Sequence, residues 1–279
     1  QGININNSAT IGTITLGSSG SISSQHRRAI LVNKNATINH IDIQGTITNG
    51  RGVWNDGIIG MSNNGGSGTT PGIKVTGNIM SSDNSTAALG NAGTINGGIV
   101  VESGTLSGGM KYKGNTLYAA LINEMGVING DIEIKSGATL NGGVVNWDSL
   151  NNGNTKVNGK IKVSGTINGG IATYAGTIGT IEIEENAVVS EGIRIGTSNW
   201  KDPGVVNGDI IVKGTLNGSI SNSGTINGKI ENQGKNAVNI YNIQGGVIQQ
   251  GITNKGTATI RNQGKIQNGI INDGGTLTV

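Results

Sequence analysis

The residues most able to do chemistry in this chain are five carboxylates between positions 131 and 209: Asp131, Glu133, Glu182, Glu184 and Asp209. Clustered together, they could bind calcium through oxygen ligands or supply the acid and base that cleave a polysaccharide. When the repeats described below are aligned, however, lysines alternate with these carboxylates, as in Glu133, Lys162, Glu182. Alternating charge favours a surface ladder, in which each pair contributes only a few tenths of a kcal/mol.

Other catalytic chemistry has little support in the sequence. There are no cysteines, so thiolate and disulfide chemistry are absent, and a histidine-based metal site or a Ser-His-Asp triad would have to use His26 or His40. No G-x-S-x-G elbow and no G-x-x-x-x-G-K-[ST] phosphate loop occurs. We therefore predict no enzyme activity, no cofactor and no metal.

Aromatic and basic side chains are the better candidates for binding. All three tryptophans and two tyrosines fall in insertions between repeats, and aromatics on loops held by a rigid scaffold are typical binding residues. The predicted binding residues are Trp54, Tyr112, Tyr118, Trp147 and Trp200, with Arg27 and Arg28. The alternative is that each aromatic packs over an apolar edge of its own repeat. The basic segment from His26 to Arg28, with Lys34 nearby, could contact acidic glycans or phosphate, or be an ordinary solvated loop.

A short glycine-punctuated phrase recurs along the chain and indicates how these side chains are positioned. It reads GTINGGI at Gly93 and Gly165, GVINGDI at Gly126, GTLNGSI at Gly214 and GTINGKI at Gly224. Recurrence of one short strand is typical of a stack of equivalent units. The repeats therefore predict a solenoid.

Eleven isoleucines can share one inward-facing position of this solenoid: Ile14, Ile41, Ile73, Ile99, Ile132, Ile161, Ile181, Ile210, Ile230, Ile252 and Ile270. Aliphatic residues two positions apart lie on one face of a strand, and the Asn-Gly pairs mark corners. We predict an all-β parallel β-helix of about eleven coils, near 20 residues each toward the C-terminus, with loop excursions. Antiparallel hairpins are the alternative, because Asn-Gly is also a hairpin signal.

The stack also predicts where asparagines and insertions lie. Asparagines at the corners should stack along the rod and hydrogen-bond to one another: Asn96, Asn129, Asn141, Asn158, Asn168, Asn207, Asn217 and Asn227. The excursions are 23–36, 49–72, 81–92, 111–125, 146–156 and 197–204. The chain is predicted to be a single domain, 1–279, with irregular coils over 1–92 and regular repeats over 93–279.

Composition limits the remaining classes. The chain has 279 residues, 51 glycines, two prolines and no phenylalanine, so Ile, Val and Leu must form the core. A net charge of +3, with 13% charged residues and no long basic run, argues against nucleic acid as a partner. The sequence contains no stretch of about 18 apolar residues, so no membrane-spanning helix is predicted. Without a leader at Gln1 the chain resembles a mature segment or an excised piece, and unpaired end coils make self-association an expectation.

The phrases G-T-[IL]-N-G-x-[IV] on a coil of about 20 residues, with no Cys and abundant Gly, Asn, Ser and Thr, resemble passenger domains of Gram-negative autotransporters. The resemblance is clearest from Gly93 to Val279. It implies a right-handed parallel β-helix that is exported through an outer-membrane barrel and displayed on the cell surface or secreted. Some relatives carry a serine protease domain with a GDSGS-type motif, which this sequence lacks.

The function that this resemblance implies is adhesion or host interaction, with a host-cell protein or glycan as the receptor. Two other functions stay open at the level of sequence. One is a β-helical polysaccharide lyase or hydrolase, similar to a phage tailspike or a pectate lyase. The other is a vacuolating-type passenger toxin.

Overall fold

The structure is a computed structural model, and it describes residues 2–24, 28–48, 50–61, 70–81, 86–111, 118–197, 203–234 and 236–279. The described chain contains 39 strands and no helix. They form three sheets, named A, B and C here, that wrap around one core.

Sheet A comprises β1 (Ile3–Ile5), β4 (Arg28–Val32), β7 (Arg51–Asn55), β11 (Leu89–Asn91), β15 (Met110–Lys111), β16 (Tyr118–Glu124), β20 (Gly143–Trp147), β23 (Gly170–Tyr174), β26 (Gly192–Ile195), β30 (Ser219–Asn222), β33 (Val238–Asn242), β36 (Thr257–Asn262) and β39 (Thr276–Thr278). Sheet C comprises β3 (Ser21–Ser23), β6 (Thr46–Thr48), β10 (Asn78–Met80), β14 (Gly104–Ser107), β19 (Ala138–Asn141), β22 (Thr166–Ile167), β25 (Val188–Val189) and β29 (Thr215–Leu216).

Sheet B crosses each coil either as one long strand or as two short ones. The long strands are β2 (Thr10–Leu16), β5 (Thr37–Ile43), β21 (Lys156–Val163) and β24 (Thr177–Ile183). The short pairs are β8 (Ile58–Ile59) and β9 (Ile73–Val75), β12 (Thr94–Asn96) and β13 (Ile99–Val101), β17 (Val127–Asn129) and β18 (Ile132–Ile134), β27 (Val205–Val206) and β28 (Ile210–Val212), β31 (Thr225–Ile226) and β32 (Ile230–Asn232), β34 (Val247–Ile248) and β35 (Ile252–Asn254), and β37 (Lys265–Ile266) and β38 (Ile270–Asn272).

The isoleucine column predicted from the sequence is confirmed. From Ile14 to Ile270, each of the eleven anchors is the register partner of the next. The named strands of the described chain pair in parallel, apart from the antiparallel contact of β15 with β16. The parallel β-helix is therefore the fold, and the alternative of stacked antiparallel hairpins is wrong.

The core is a column of aliphatic side chains from all three sheets. In the coil that begins at Ile161, the residues Val163, Ile167, Ile171 and Ile178 are all buried. Each buried aliphatic side chain contributes about 1.5–3 kcal/mol when it leaves water. At the two ends of the stack the same positions, such as Ile14 and Ile270, are only partly covered, because no further described coil lies against them.

Most of the predicted excursions contain a strand of sheet A. The segment 23–36 includes β4, 49–72 includes β7, and 81–92 includes β11. These segments therefore do not only form loops, because part of each one is the sheet A strand of its coil. Irregular loop lengths on either side of the sheet A strands concealed the repeat. Sheet C ends at β29, so the later coils pass from sheet B to sheet A without a strand between them.

Corner asparagines stack as predicted, in two columns rather than one, except that Asn217 bonds to no other corner asparagine among the described residues. Along sheet B, Asn158 donates to Asn129 at 2.7 Å and Asn129 donates to Asn96 at 2.9 Å. Where sheet C ends and the chain turns toward sheet A, Asn168 donates to Asn141 at 2.8 Å. Both columns are solvent-exposed.

A third asparagine ladder is buried, at the last or next-to-last position of the sheet A strands. Asn55 donates to Asn91 at 2.7 Å, Asn91 to Asn123 at 2.7 Å, and Asn123 to Asn146 at 2.8 Å. The ladder amides also bond to the turn that follows, as Asn123 does to the carbonyl oxygen of Gly126 at 2.9 Å. The ladder satisfies backbone groups that the corner between sheets A and B would otherwise leave unpaired in the interior.

Glycine lies two residues after most of the buried asparagines, such as Asn91 and Asn222, for a steric reason. A Cβ on Gly93 would lie 2.1 Å from the carbonyl oxygen of Gly57 in the preceding coil, and one on Gly224 would lie 2.1 Å from that of Gly204. The coils approach too closely at this corner for any side chain.

We predict that Asn123→Ala destabilises the protein by about 1–3 kcal/mol, because it leaves buried amides of Asn91 and Asn146 without their ladder partner. The matched control is Asn129→Ala, which removes the middle of an exposed ladder and should cost less than about 1 kcal/mol. The measurement is the urea unfolding midpoint. Equal effects of the two substitutions would show that the buried ladder does not stabilise the stack.

Candidate functional site

The five carboxylates of the sequence analysis do not form a cluster with free ligating oxygens. Oδ1 of Asp131 accepts the backbone N–H of Lys160 at 2.7 Å, and Oδ1 of Asp209 accepts that of Lys229 at 2.9 Å. In the part of the chain that the structure describes, no group of three His, Cys, Asp or Glu side chains could hold a metal ion. Asp131 and Asp209 instead hold adjacent coils together through these bonds.

The alternating column of charge on the outside of sheet B is present as the sequence predicts. Glu133, Lys162 and Glu182 are successive register partners. Lys213 reaches Glu182 at 2.6 Å and Glu184 at 3.2 Å, and Lys162 reaches Glu184 at 3.0 Å. Hydrogen bonding from Lys162 lowers the pKa of Glu184 below its ordinary value. This network supports the charge-ladder interpretation over the catalytic one.

Glu231 is the most strongly held member of this face. Its carboxylate accepts from Lys229 at 2.6 Å, from Gln233 at 2.8 Å and from Lys255 at 3.2 Å, and its side chain is only 9% exposed. The hydrogen bond from Lys229, helped by those from Gln233 and Lys255, lowers the pKa of Glu231 from 4.5 to about 2, although burial opposes the shift.

Of the predicted binding residues, Arg28, Trp54, Tyr118 and Trp147 lie in the described structure, whereas Arg27, Tyr112 and Trp200 lie outside the described residues. Arg28, Trp54, Tyr118 and Trp147 all belong to sheet A. Arg28 and Trp54 are in direct contact. Trp147 packs against the same apolar cluster as Trp54. Tyr118 lies at the start of β16 and is 38% exposed.

Trp54 and Arg28 form a cation–π contact on the outside of the coil, and both side chains are held by Asp56. The Arg28 guanidinium lies 4.7 Å from the centroid of the Trp54 ring, and both side chains bond to the Asp56 carboxylate, Trp54 Nε1 at 2.7 Å and Arg28 at 3.2 Å. Burial lowers the pKa of Arg28, and Asp56 opposes that shift. A Cβ on Gly90 would lie 2.2 Å from the Trp54 ring, so the indole occupies the space above this glycine in the next coil.

An apolar cluster continues from Trp54 along the outer face of sheet A. Trp54, Gly90, Ile122, Val145 and Ala172 are successive register partners across five coils. Ile122, Val145 and Ala172 are buried outside the main core, and Tyr174, Ala87 and Ala119 complete the cluster, with Trp54 and Trp147 partly buried at its margin. Burial raises the pKa of Tyr174 and of Glu124, the register partner of Trp147. Both tryptophans therefore pack against an apolar cluster, but Trp54 packs over residues of other coils and not over an edge of its own repeat. Binding by the two tryptophans stays a prediction.

Two exposed apolar side chains lie near Trp147, one through a backbone hydrogen bond and the other along the chain. Met125 is 41% exposed, and its backbone N–H donates to the carbonyl oxygen of Trp147 at 3.1 Å. Leu150 is 68% exposed, three residues after Trp147. The buried carboxylate of Asp148 holds the Leu150 loop by accepting the backbone N–H groups of Leu150 at 3.2 Å and Asn154 at 3.0 Å. We call Trp54, Met125, Trp147 and Leu150 the apolar face.

Sequence reasoning missed several parts of this face. Met125 and Leu150 carry no motif, and the role of Asp148 depends on a loop shape that the sequence does not reveal. The buried asparagines did leave a signal, since an N-x-G precedes many repeats, as in Asn55-Asp56-Gly57 and Asn91-Ala92-Gly93. The imidazole of His40 is held by a hydrogen bond, in which Nδ1 donates to the carbonyl oxygen of Pro71 at 2.6 Å.

In the comparisons with known proteins, no family model, no curated protein and no solved structure gives a significant match to this chain. The fold assignment therefore stands on the parallel ladders themselves. Over the described residues, no helix is long and apolar enough to cross a membrane.

We predict that Glu231→Gln lowers the free energy of unfolding by about 1–3 kcal/mol at pH 7, because it removes a carboxylate whose folded pKa is depressed. A carboxylate whose pKa is lower in the folded state stabilises the fold at any pH above its pKa in the unfolded chain. The destabilisation by Glu231→Gln should therefore be complete above about pH 5 and should fade as the pH falls from about 4.5 toward 2. Denaturant unfolding at pH 7 and at pH 2.5 measures both values.

The control for this prediction is Glu133→Gln, which lies in the same outward column but has no ion pair within the described part of the chain. It should change stability by less than about 0.5 kcal/mol. If the destabilisation by Glu231→Gln does not depend on pH, the proposed charge-assisted contact is contradicted.

Proposed function

We propose that this chain is an exported bacterial β-helix that acts in adhesion or host interaction, and that it binds through the apolar face of sheet A. The observation that carries the proposal is the apolar cluster on the outside of the coil, with two partly exposed tryptophans and an arginine at its margin. The cluster itself is buried, but Met125 and Leu150 are exposed near its Trp147 margin. Apolar side chains left exposed together on an outer face are characteristic of interaction surfaces.

The residue types support binding to a partner. Tryptophan, tyrosine and arginine are enriched among the few residues that dominate binding energy at protein interfaces. The Arg28 and Trp54 side chains are held by Asp56, so they lose little freedom when a partner binds. The parallel ladders beneath them fix their spacing along the rod.

The sequence resemblance to autotransporter passengers supports export and display at the cell surface or secretion. A stack in which each coil pairs with the one before it can form progressively as the chain emerges, without disulfides or distant pairings. The receptor in this proposal is a protein or a glycan on a host cell.

The test is adhesion of beads coated with the purified chain to a layer of cultured epithelial cells. Wild-type beads should attach, and the double variant Met125→Asn, Leu150→Asp should attach at least about tenfold less, because two exposed apolar contacts are lost. Asparagine suits position 125, where φ is +62°.

A matched control is Ile271→Asp, which removes a 58% exposed isoleucine from the outer side of sheet B in the last coil. This variant should attach as well as wild type. Failure of wild-type beads to attach, or equal attachment of the double variant, would refute the proposal. Circular dichroism of each variant establishes that the β-structure is retained.

A further inference from the structure

A groove lined mainly by polar residues lies where the chain turns from sheet C to sheet A, and none of its lining residues belongs to the apolar face. Its volume is about 370 Å³, and its lining includes Ser107, Tyr118, Asn141, Gly142, Asn168 and Glu191. The lining residues come from successive coils, so the groove runs along the rod. Concave sites with a few convergent polar groups are the usual form of small-ligand sites.

An exposed ladder of short polar side chains forms the spine of the groove. Asn168 donates to Asn141 at 2.8 Å, and Asn141 donates to the Ser107 hydroxyl at 3.0 Å. An amide has two N–H donors and two acceptor lone pairs, and one ladder bond in each direction uses one donor and one lone pair. The spine therefore offers further donors and acceptors that repeat once per coil, about 4.8 Å apart.

The other sides of the groove add an aromatic ring, open backbone and a carboxylate. Tyr118 is 38% exposed, and the antiparallel pairing of β15 with β16 holds its backbone. Gly142 has φ +127°, and a Cβ there would lie 2.7 Å from the backbone nitrogen of Ala120, so no side chain fills this part of the floor. Glu191 supplies a carboxylate acceptor at one end.

These groups match an uncharged ligand rich in hydroxyl groups. No lysine or arginine lines the described groove, which disfavours an anion. An extended peptide would need an open strand edge, but β14, β19 and β22 are each paired on both sides. Repeating amides and hydroxyls can bond to the hydroxyl groups of successive sugars, and a tyrosine ring can pack against the apolar side of a sugar.

We propose that this groove binds a neutral oligosaccharide lying along the rod, with Asn141 and Asn168 bonding to its hydroxyl groups and Tyr118 packing against one ring. The inference rests on the proposed function, because it names a glycan as one ligand of a protein that is proposed to act in host interaction. Among the described residues that line the groove, Glu191 is the one carboxylate, so these residues favour binding over the two-carboxylate cleavage chemistry.

The experiment is a titration of the purified chain with neutral trisaccharides (maltotriose, cellotriose, mannotriose and lacto-N-triose), followed by ligand-observed NMR. At least one should bind to wild type. Asn168→Ala and Tyr118→Ala should each weaken binding by about tenfold, the effect expected for one lost hydrogen bond or ring contact.

Matched controls lie elsewhere on the rod. Asn158→Ala removes an amide from the exposed ladder of sheet B, and Tyr241→Ala removes a tyrosine from the outside of sheet A that contacts Arg261. Both should bind the sugar as wild type does. Absence of binding to all four sugars, or equal affinity of groove and control variants, would overturn the inference.

This experiment is independent of the adhesion test. Sugar binding that is lost in the groove variants, together with bead adhesion that is unaffected by Met125→Asn, Leu150→Asp, would support the groove and refute the apolar face. The reverse pattern would refute the groove and leave the apolar face as the adhesive surface.

Discussion

Vertical register of the coils is the constraint on which the rest of the structure depends. The anchors from Ile14 to Ile270 stack one above the next, although 18 to 33 residues separate them along the chain. A single coil buries too few aliphatic side chains to offset the conformational entropy of ordering it, so each coil is stable only when its neighbours complete its hydrogen bonds and its core. A shift by one residue in any strand would exchange the inward and outward side chains.

Register also turns each outward position into a strip of one chemical character along the rod. On sheet B the strip is charged, and the contacts of Lys162 and Lys213 to Glu184 link three coils. On sheet A it is apolar from Trp54 to Ala172. At the corner between sheets C and A it is uncharged and polar, as in Asn141 and Asn168. The two proposed binding surfaces are therefore two sides of the same coil, presented by one rigid framework.

The sequence predicts the column of isoleucines and the charge ladder because both repeat with a period of two along a strand and recur in many coils. It predicts sheet A less well, since loops of unequal length surround strands such as β7 and β11. The apolar face is hidden for a different reason. Trp54, Ile122 and Val145 are distant in sequence and differ in type, and only the register of their strands brings them together. Tyr118 was predicted to bind from its residue type, but its neighbours in the groove include residues from four other coils.

Engineered cysteine pairs test the register most directly, because the chain has no cysteine of its own. Thr139 and Thr166 are outward-facing register partners in adjacent coils, and Val188 is the partner of Thr166 in the next coil. The Cα atoms of register partners in adjacent coils should lie about 5 Å apart, and Cα atoms that are separated by two coils should lie about 10 Å apart. A disulfide cannot bridge Cα atoms more than about 7 Å apart. Mild oxidation of Thr139→Cys, Thr166→Cys should give an intramolecular disulfide, and that of Thr139→Cys, Val188→Cys should not. A disulfide in the second variant, or none in the first, would contradict the stacked register.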